Sequence, residues 1–158
     1  MDRVDDGGAP AQEADAAALA AEFARAAEFR RALRRFLART REATSASRLT
    51  PERYDVLLNV KASPGEQLSV GDLADILLLA PSTATELVQR CEEAGLVYRR
   101  PAAGDARVSY ISLTEEGESR LMKTFLALRA DREALADAFR AVDRQFRAIV
   151  RSYAGASE

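Results

Sequence analysis

Apolar positions along the chain follow a helical period, then an alternating one, then a helical one again. From about Glu13 to Arg41, Leu19, Phe23, Ala26, Phe29, Leu33, Phe36 and Leu37 recur at steps of three or four, so one side of a long helix is apolar, with Arg31 and Arg35 opposite. Residues Met1 to about Gln12 carry Asp2, Asp5 and Asp6 without a periodic apolar set and read as a disordered tail. Ala43 to Arg48 is a break rich in Ser and Thr, after which Thr50 and Pro51 suit the N-cap and first residue of a second helix reaching about Ala62. Ser63, Pro64 and Gly65 end it.

Leu68 and Ser69 then suggest a short extended entry and a serine N-cap for a third helix to Leu78. Val70, Leu73, Ala74 and Leu77 should face inward, with Ile76, Leu78 and Leu79 completing the apolar set. A tight turn leads to the segment Pro81 to Gly95. There Ala84, Leu87, Val88 and Cys91 fall at i, i+3, i+4 and i+7, while Ser82, Glu86, Gln89 and Glu93 point roughly the opposite way. Pro81 suits the first helical position and Gly95 the left-handed residue past the end, which would pair Cys91 with Leu96 in a Schellman ending. Two short helices joined this tightly predict a helix-turn-helix.

After Gly95 the period alternates, over Leu96 to Arg100 and again over Val108 to Leu113, which predicts two antiparallel strands. The intervening PAAGDAR is too long for a two-residue turn, so a projecting hairpin, a wing, is expected. Thr114 should cap the next helix, with Glu115 and Glu116 in its first turn. From there Leu121, Phe125, Leu128, Leu135, Phe139, Val142, Phe146, Ile149 and Tyr153 keep steps of four and three, with Arg132 at a missed position, forming a seam of coiled-coil type. A helix spanning all of it would be unusually long, and a break is expected between about Asp137 and Asp143. The predicted fold is mostly α with a small β-hairpin wing.

Composition narrows the chemistry. Aromatics make up 6% and tryptophan is absent, so the core should be packed from small and branched aliphatics. With no histidine and one cysteine, His-dependent triads, Cys/His zinc sites and internal disulfides are excluded. Carboxylates and serines are plentiful but form no set of nucleophile, base and anion hole, so no enzyme, cofactor or metal is expected. No apolar run of the ~18 residues needed for a membrane span occurs, and the acidic start is unlike a basic leader, which points to the cytoplasm.

The formal net charge is −2, so DNA binding would have to come from local patches. One such patch is the hairpin: Arg99, Arg100 and Arg107 against Asp105 give it a net +2. Arginine in a narrow minor groove gains from the enhanced negative potential there. The cluster Arg30, Arg31, Arg34, Arg35, Arg39 and Arg41 offers contacts to DNA phosphates or an acidic partner, a solvated helix face being the simpler reading. A helix entering the major groove must show short or flat polar groups near its N-terminus, which Ser82, Thr83, Thr85, Glu86 and Gln89 supply. Gln89 suits adenine, Glu86 the cytosine amine, a threonine methyl thymine, and Arg90, on the flank, a phosphate.

Over roughly Leu49 to Gly117, the stretches LTPERYDVL, LSVGDLADIL, STATELVQRCEEAGLVYRRP and GDARVSYISLTEEG resemble the MarR family, the multiple-antibiotic-resistance regulators. Asp105 and Arg107 stand where that family has its Asp-x-Arg wing motif. Ala80 departs from it where a capping serine is common, and Glu86 where some relatives carry a basic or neutral residue. The resemblance implies a homodimer that binds double-stranded DNA at a pseudo-palindromic operator, usually as a repressor released by a small, often aromatic or phenolic, ligand. With the tail over 1–12 set aside, it also implies a dimerisation helix and linker over 13–48, a winged helix-turn-helix over 49–114 and dimerisation helices over 115–158. The ligand pocket is implied between the dimerisation helices and the winged region, with Phe29, Phe36 and Tyr54 as wall candidates. Two other readings remain at this stage: a winged-helix module that docks a protein, motivated by Glu86, Glu92 and Glu93, and a thiol sensor through Cys91.

Overall fold

The computed structural model describes the backbone of residues 9–102 and 105–141, and the side chains of 16–101 and 109–141. The chain divides into two compact units, one comprising Met1–Leu37 with Ala130–Glu158, the other Ala38–Arg129.

The first helix, α1, spans Ala9–Ala46, so it starts about four residues earlier and ends about five later than the pattern predicts. Its first part, through Leu37, belongs to the first unit together with the helical residues 130–141. Phe29 and Phe139 hold this unit with tilted rings whose centroids are 6.2 Å apart. Residues 1–8 of the expected tail, and the seam positions from Val142 onward, lie outside the described residues.

In the second unit α2 (Pro51–Ala62) follows the end of α1, and a single 3-10 turn (Pro64–Glu66) leads to β1 (Leu68–Ser69). Then come α3 (Val70–Leu77), α4 (Pro81–Glu93), β2 (Val97–Ala102), β3 (Asp105–Leu113) and α5 (Glu115–Ala127). The starts of three helices follow the predicted caps. Thr50 Oγ1 accepts from the Arg53 amide, Ser69 Oγ from the Asp72 amide and Thr114 Oγ1 from the Gly117 amide. Pro51 and Pro81 sit in first turns, where the missing N–H costs nothing.

The core gathers Val56, Leu57 and Val60 of α2, Leu73 of α3, Val88 and Cys91 of α4, Leu96, Ile111 of β3, and Leu121 with Leu128, all fully buried. Ile76 and Leu78 do not join it. They are 50% and 92% exposed, because α3 stops at Leu77 and Leu78 turns into a left-handed conformation that aims its side chain outward.

The sheet has three strands in the order β1-β3-β2, all antiparallel. The extended entry at Leu68 and Ser69 is therefore a strand, paired with Ile111 and Tyr110. Pairing on the other side of β3 runs from Val97↔Leu113 to Pro101↔Ser109, then shifts to Ala102↔Asp105. PAAGDAR is thus mostly strand, and the register shift, not a long loop, absorbs its extra residues. Pro101 is tolerated because β2 is an edge strand.

The C-terminal seam breaks at Leu128, between α5 and helical residues 129–141, and residues 137–141, where a break was expected, are continuous helix. Periodicity gave no sign of this, since a buried Leu128 keeps the apolar pattern across the turn. Among the described residues no helix is long and apolar enough to cross a membrane.

Candidate nucleic-acid interface

Helix α4 presents the residues that its amphipathic pattern singles out. Ala84, Val88 and Cys91 are fully buried, whereas Ser82, Thr83, Thr85, Glu86, Gln89 and Arg90 are exposed on the helix surface. Its start has no side-chain cap, because Ala80 occupies that position. Amides of its first turn therefore remain available for solvent or an anion. Its end is closed as a Schellman motif, with the Leu96 amide donating to Cys91 O at 2.9 Å and the Gly95 amide to Glu92 O at 2.8 Å. Gly95 takes φ 68° there, the left-handed conformation for which glycine is suited.

The polar side chains of α4 are paired along the helix. Arg90 donates to Glu86 Oε2 at 3.1 Å, Gln89 Nε2 to Glu93 Oε1 at 3.0 Å, and Thr85 Oγ1 to the Pro81 carbonyl at 2.8 Å. The Thr85 bond folds its hydroxyl back on the helix. The Glu86–Arg90 pair is well exposed on both sides, so it is weak and readily exchanged for a stronger partner.

At the root of the wing the two arginines lie on opposite faces of β2, as strand alternation requires. Arg99 Nε meets Glu92 Oε2 at 2.9 Å, which ties the hairpin to the last turn of α4. Arg100 instead donates to Tyr98 Oη at 2.9 Å with its guanidinium 5.0 Å from the centre of that ring. In the sequence Glu92 stands out only as part of an acidic surface, not as a partner of Arg99, and Tyr98 is not singled out. A signal for Glu92 exists, since a carboxylate in the last turn of a helix opposes the helix dipole and calls for a cation nearby. Asp105 and Arg107 open β3, and their side chains lie outside the described residues.

A clamp holds helix, wing and α5 together. Thr114 donates its hydroxyl to Gly95 O at 2.6 Å and its amide to Leu96 O at 3.0 Å, while accepting from the Gly117 amide at 3.0 Å. Gly117 is buried where a Cβ would stand 2.0 Å from Leu96 O, so the first turn of α5 rests directly on the chain leaving α4.

Of the three pocket candidates, Phe29 and Phe36 belong to the first unit and Tyr54 to the second. Phe29 and Phe36 line a cavity of about 480 Å³ within the first unit, along with Arg25, Arg35, Asp131 and Leu135. One guanidinium nitrogen of Arg25 is buried without a hydrogen-bond partner. Tyr54 lies in the core of the second unit, 4% exposed, and does not line that cavity. The thiol of Cys91 is fully buried, and burial pushes its pKa from 9.0 to about 11. It is therefore protonated and unreactive near neutral pH, which argues against the sensor reading.

A short helix, a tight turn, an exposed polar helix and a hairpin clamped to its end make this a winged helix-turn-helix protein. No curated protein matches the chain by sequence. Residues 49–108 match the model of the MarR family. Its fold is shared with AbsC, a MarR family transcriptional regulator from Streptomyces coelicolor, at 20% identity and TM-score 0.61 over 98% of this chain and 99% of that one. A MarR mutant from E. coli complexed with operator DNA matches at 17% identity and TM-score 0.62 over 76% and 89% of the two chains. MOSR from M. tuberculosis, also in complex with DNA, matches at 22% identity and TM-score 0.57 over 80% and 93%.

Proposed function

We propose that this chain is a dimeric, sequence-specific DNA-binding regulator of transcription, acting in the cytoplasm as a repressor that a small ligand releases. The observation that carries the reading is α4 itself: three buried residues fix one face, and Ser82, Thr83, Thr85, Glu86, Gln89 and Arg90 are exposed on the rest of its surface beside a clamped hairpin. In this reading Gln89, Glu86 and the threonine methyls meet base edges in the major groove. Arg90 leaves Glu86 for a phosphate, and the wing, through Arg100 and Arg107, enters the flanking minor groove. Arg99, paired with Glu92, holds the hairpin in position, and Asp105 orients the tip. The DNA-bound relatives support the same use of the fold.

The test is binding to a duplex enriched from a random pool by the wild-type protein. Arg107→Ala should weaken binding by about 1–3 kcal/mol and leave the dimer intact. Unchanged affinity would remove the wing from the interface.

Effector release would use the cavity between Phe29 and Phe36. Phe29 and Phe36 give the lining apolar surface suited to an aromatic compound, and an acidic substituent would give the unpartnered Arg25 nitrogen its acceptor. One observation favours a second reading, docking to a protein: Arg90 and Arg99 already face carboxylates. The two separate on salt, since phosphate contacts make log affinity fall steeply with log salt concentration, whereas a flat response would favour the protein partner.

A further inference from the structure

Leu78 stands at the turn between α3 and α4 with φ 54° and ψ 42°, the left-handed region. Its surroundings form a second Schellman ending: the Leu79 amide donates to Ala74 O at 2.9 Å and the Leu78 amide to Asp75 O at 3.2 Å. Glycine is the residue suited to that position, because a Cβ there crowds the backbone. Arg48 and Glu66 are also left-handed, but each puts a charged group into water. Leu78 gains nothing of the kind. It has no polar group to bond its own turn, and its side chain is 92% exposed, more than any other large apolar side chain described. Leu79 and Ala74, not Leu78, occupy the positions at which such an ending makes its apolar contact. A backbone under strain that holds an apolar group in solvent has its use outside the free monomer.

The position says what covers it. Leu78 lies three residues before Pro81, at the uncapped end of α4, beside the residues assigned above to base edges. On that reading the turn approaches the duplex at the lip of the major groove, where deoxyribose carbons and thymine methyls form the apolar surface. We propose that Leu78 is a DNA-contacting residue whose side chain packs on those carbons and strengthens operator binding at the expense of turn stability. The proposal rests on the DNA-binding reading.

Four proteins test it: wild type, Leu78→Gly, Leu78→Asn and Leu78→Met, each measured for Tm, for dimer mass and for affinity to the duplex enriched by wild type. Glycine and asparagine both tolerate the left-handed backbone, so Leu78→Gly should raise Tm by about 2–4 °C. Both variants should bind about three- to tenfold more weakly. The loss should be the same at low and high salt, because no phosphate contact is removed. Leu78→Met, which keeps the apolar reach, should stay within about twofold of wild type. Wild-type affinity in the glycine and asparagine variants overturns the proposal while leaving DNA binding in place. A loss in Leu78→Met equal to that in Leu78→Asn, or a loss that accompanies dissociation of the dimer, overturns it equally. If wild type enriches no duplex at all, the DNA-binding reading fails and this inference with it.

Discussion

Cys91 shows how position decides the chemistry of a single side chain. On α4 its Sγ lies against the core, and the backbone carbonyl of the same residue accepts the bond that closes the helix. Burial holds the thiol neutral up to about pH 11, against 9.0 for the ordinary group. A raised folded-state pKa contributes stability that is complete below pH 9 and lost as pH rises towards 11, worth about 3 kcal/mol in all. Urea titrations at pH 8 and 10.5 should therefore show wild type losing more stability across the interval than Cys91→Ala. At pH 8 the native thiol should resist alkylation under conditions that label the unfolded chain rapidly. Fast labelling of native protein with loss of DNA binding would restore the sensor reading.

At the end of α4 the elements are joined by short backbone contacts as well as by the Arg99–Glu92 pair. Thr114 bonds to Gly95 and Leu96, and Gly117 lets α5 begin against the same stretch, so the end of α4, the root of the wing and α5 move as one piece. The two glycines should then respond differently to alanine. At Gly95 a Cβ meets nothing within 4 Å, so only the φ of 68° is strained and the cost should be about 1 kcal/mol. At Gly117 the same methyl collides with backbone that has no rotamer to change, and the loss should exceed about 3 kcal/mol. Chemical denaturation of both variants compares them directly; equal losses would mean that α5 can shift without penalty. At the other end of α5, Arg120 and Lys123 donate to the carbonyls of Arg48 and Ala46, giving the last turn of α1 its cationic cap.

For the whole molecule, the uncovered apolar side of α1 matters most. Leu19, Phe23, Leu33 and Leu37 are 52%, 67%, 37% and 47% exposed, spaced along one helix in a pattern that a second copy could bury. A homodimer through this side would carry two copies of α4, and a two-fold operator would then reflect the protein's own symmetry. Phe23→Asp combined with Leu33→Asp should convert a dimer to a monomer in light scattering and weaken operator binding steeply. A wild-type chain that is monomeric at micromolar concentration would remove the dimer from the proposal.

The order of the elements, the caps at Thr50, Ser69 and Thr114, and the exposed face of α4 were determined by sequence, because each rests on contacts within a few residues. The closing of α4 by Cys91, Gly95 and Leu96 belongs with them. Tertiary structure decided what depends on partners distant in the chain: that Leu68 and Ser69 pair with β3, that Arg99 turns to Glu92 and Arg100 to Tyr98, and that Tyr54 is core. It also decided the break at Leu128, since a buried leucine satisfies the period whether or not the helix runs through it. Sequence marked α4 as a helix with a face to present; only packing showed that an exposed Leu78 stands at its entrance, because apolar character alone assigns a leucine to the core.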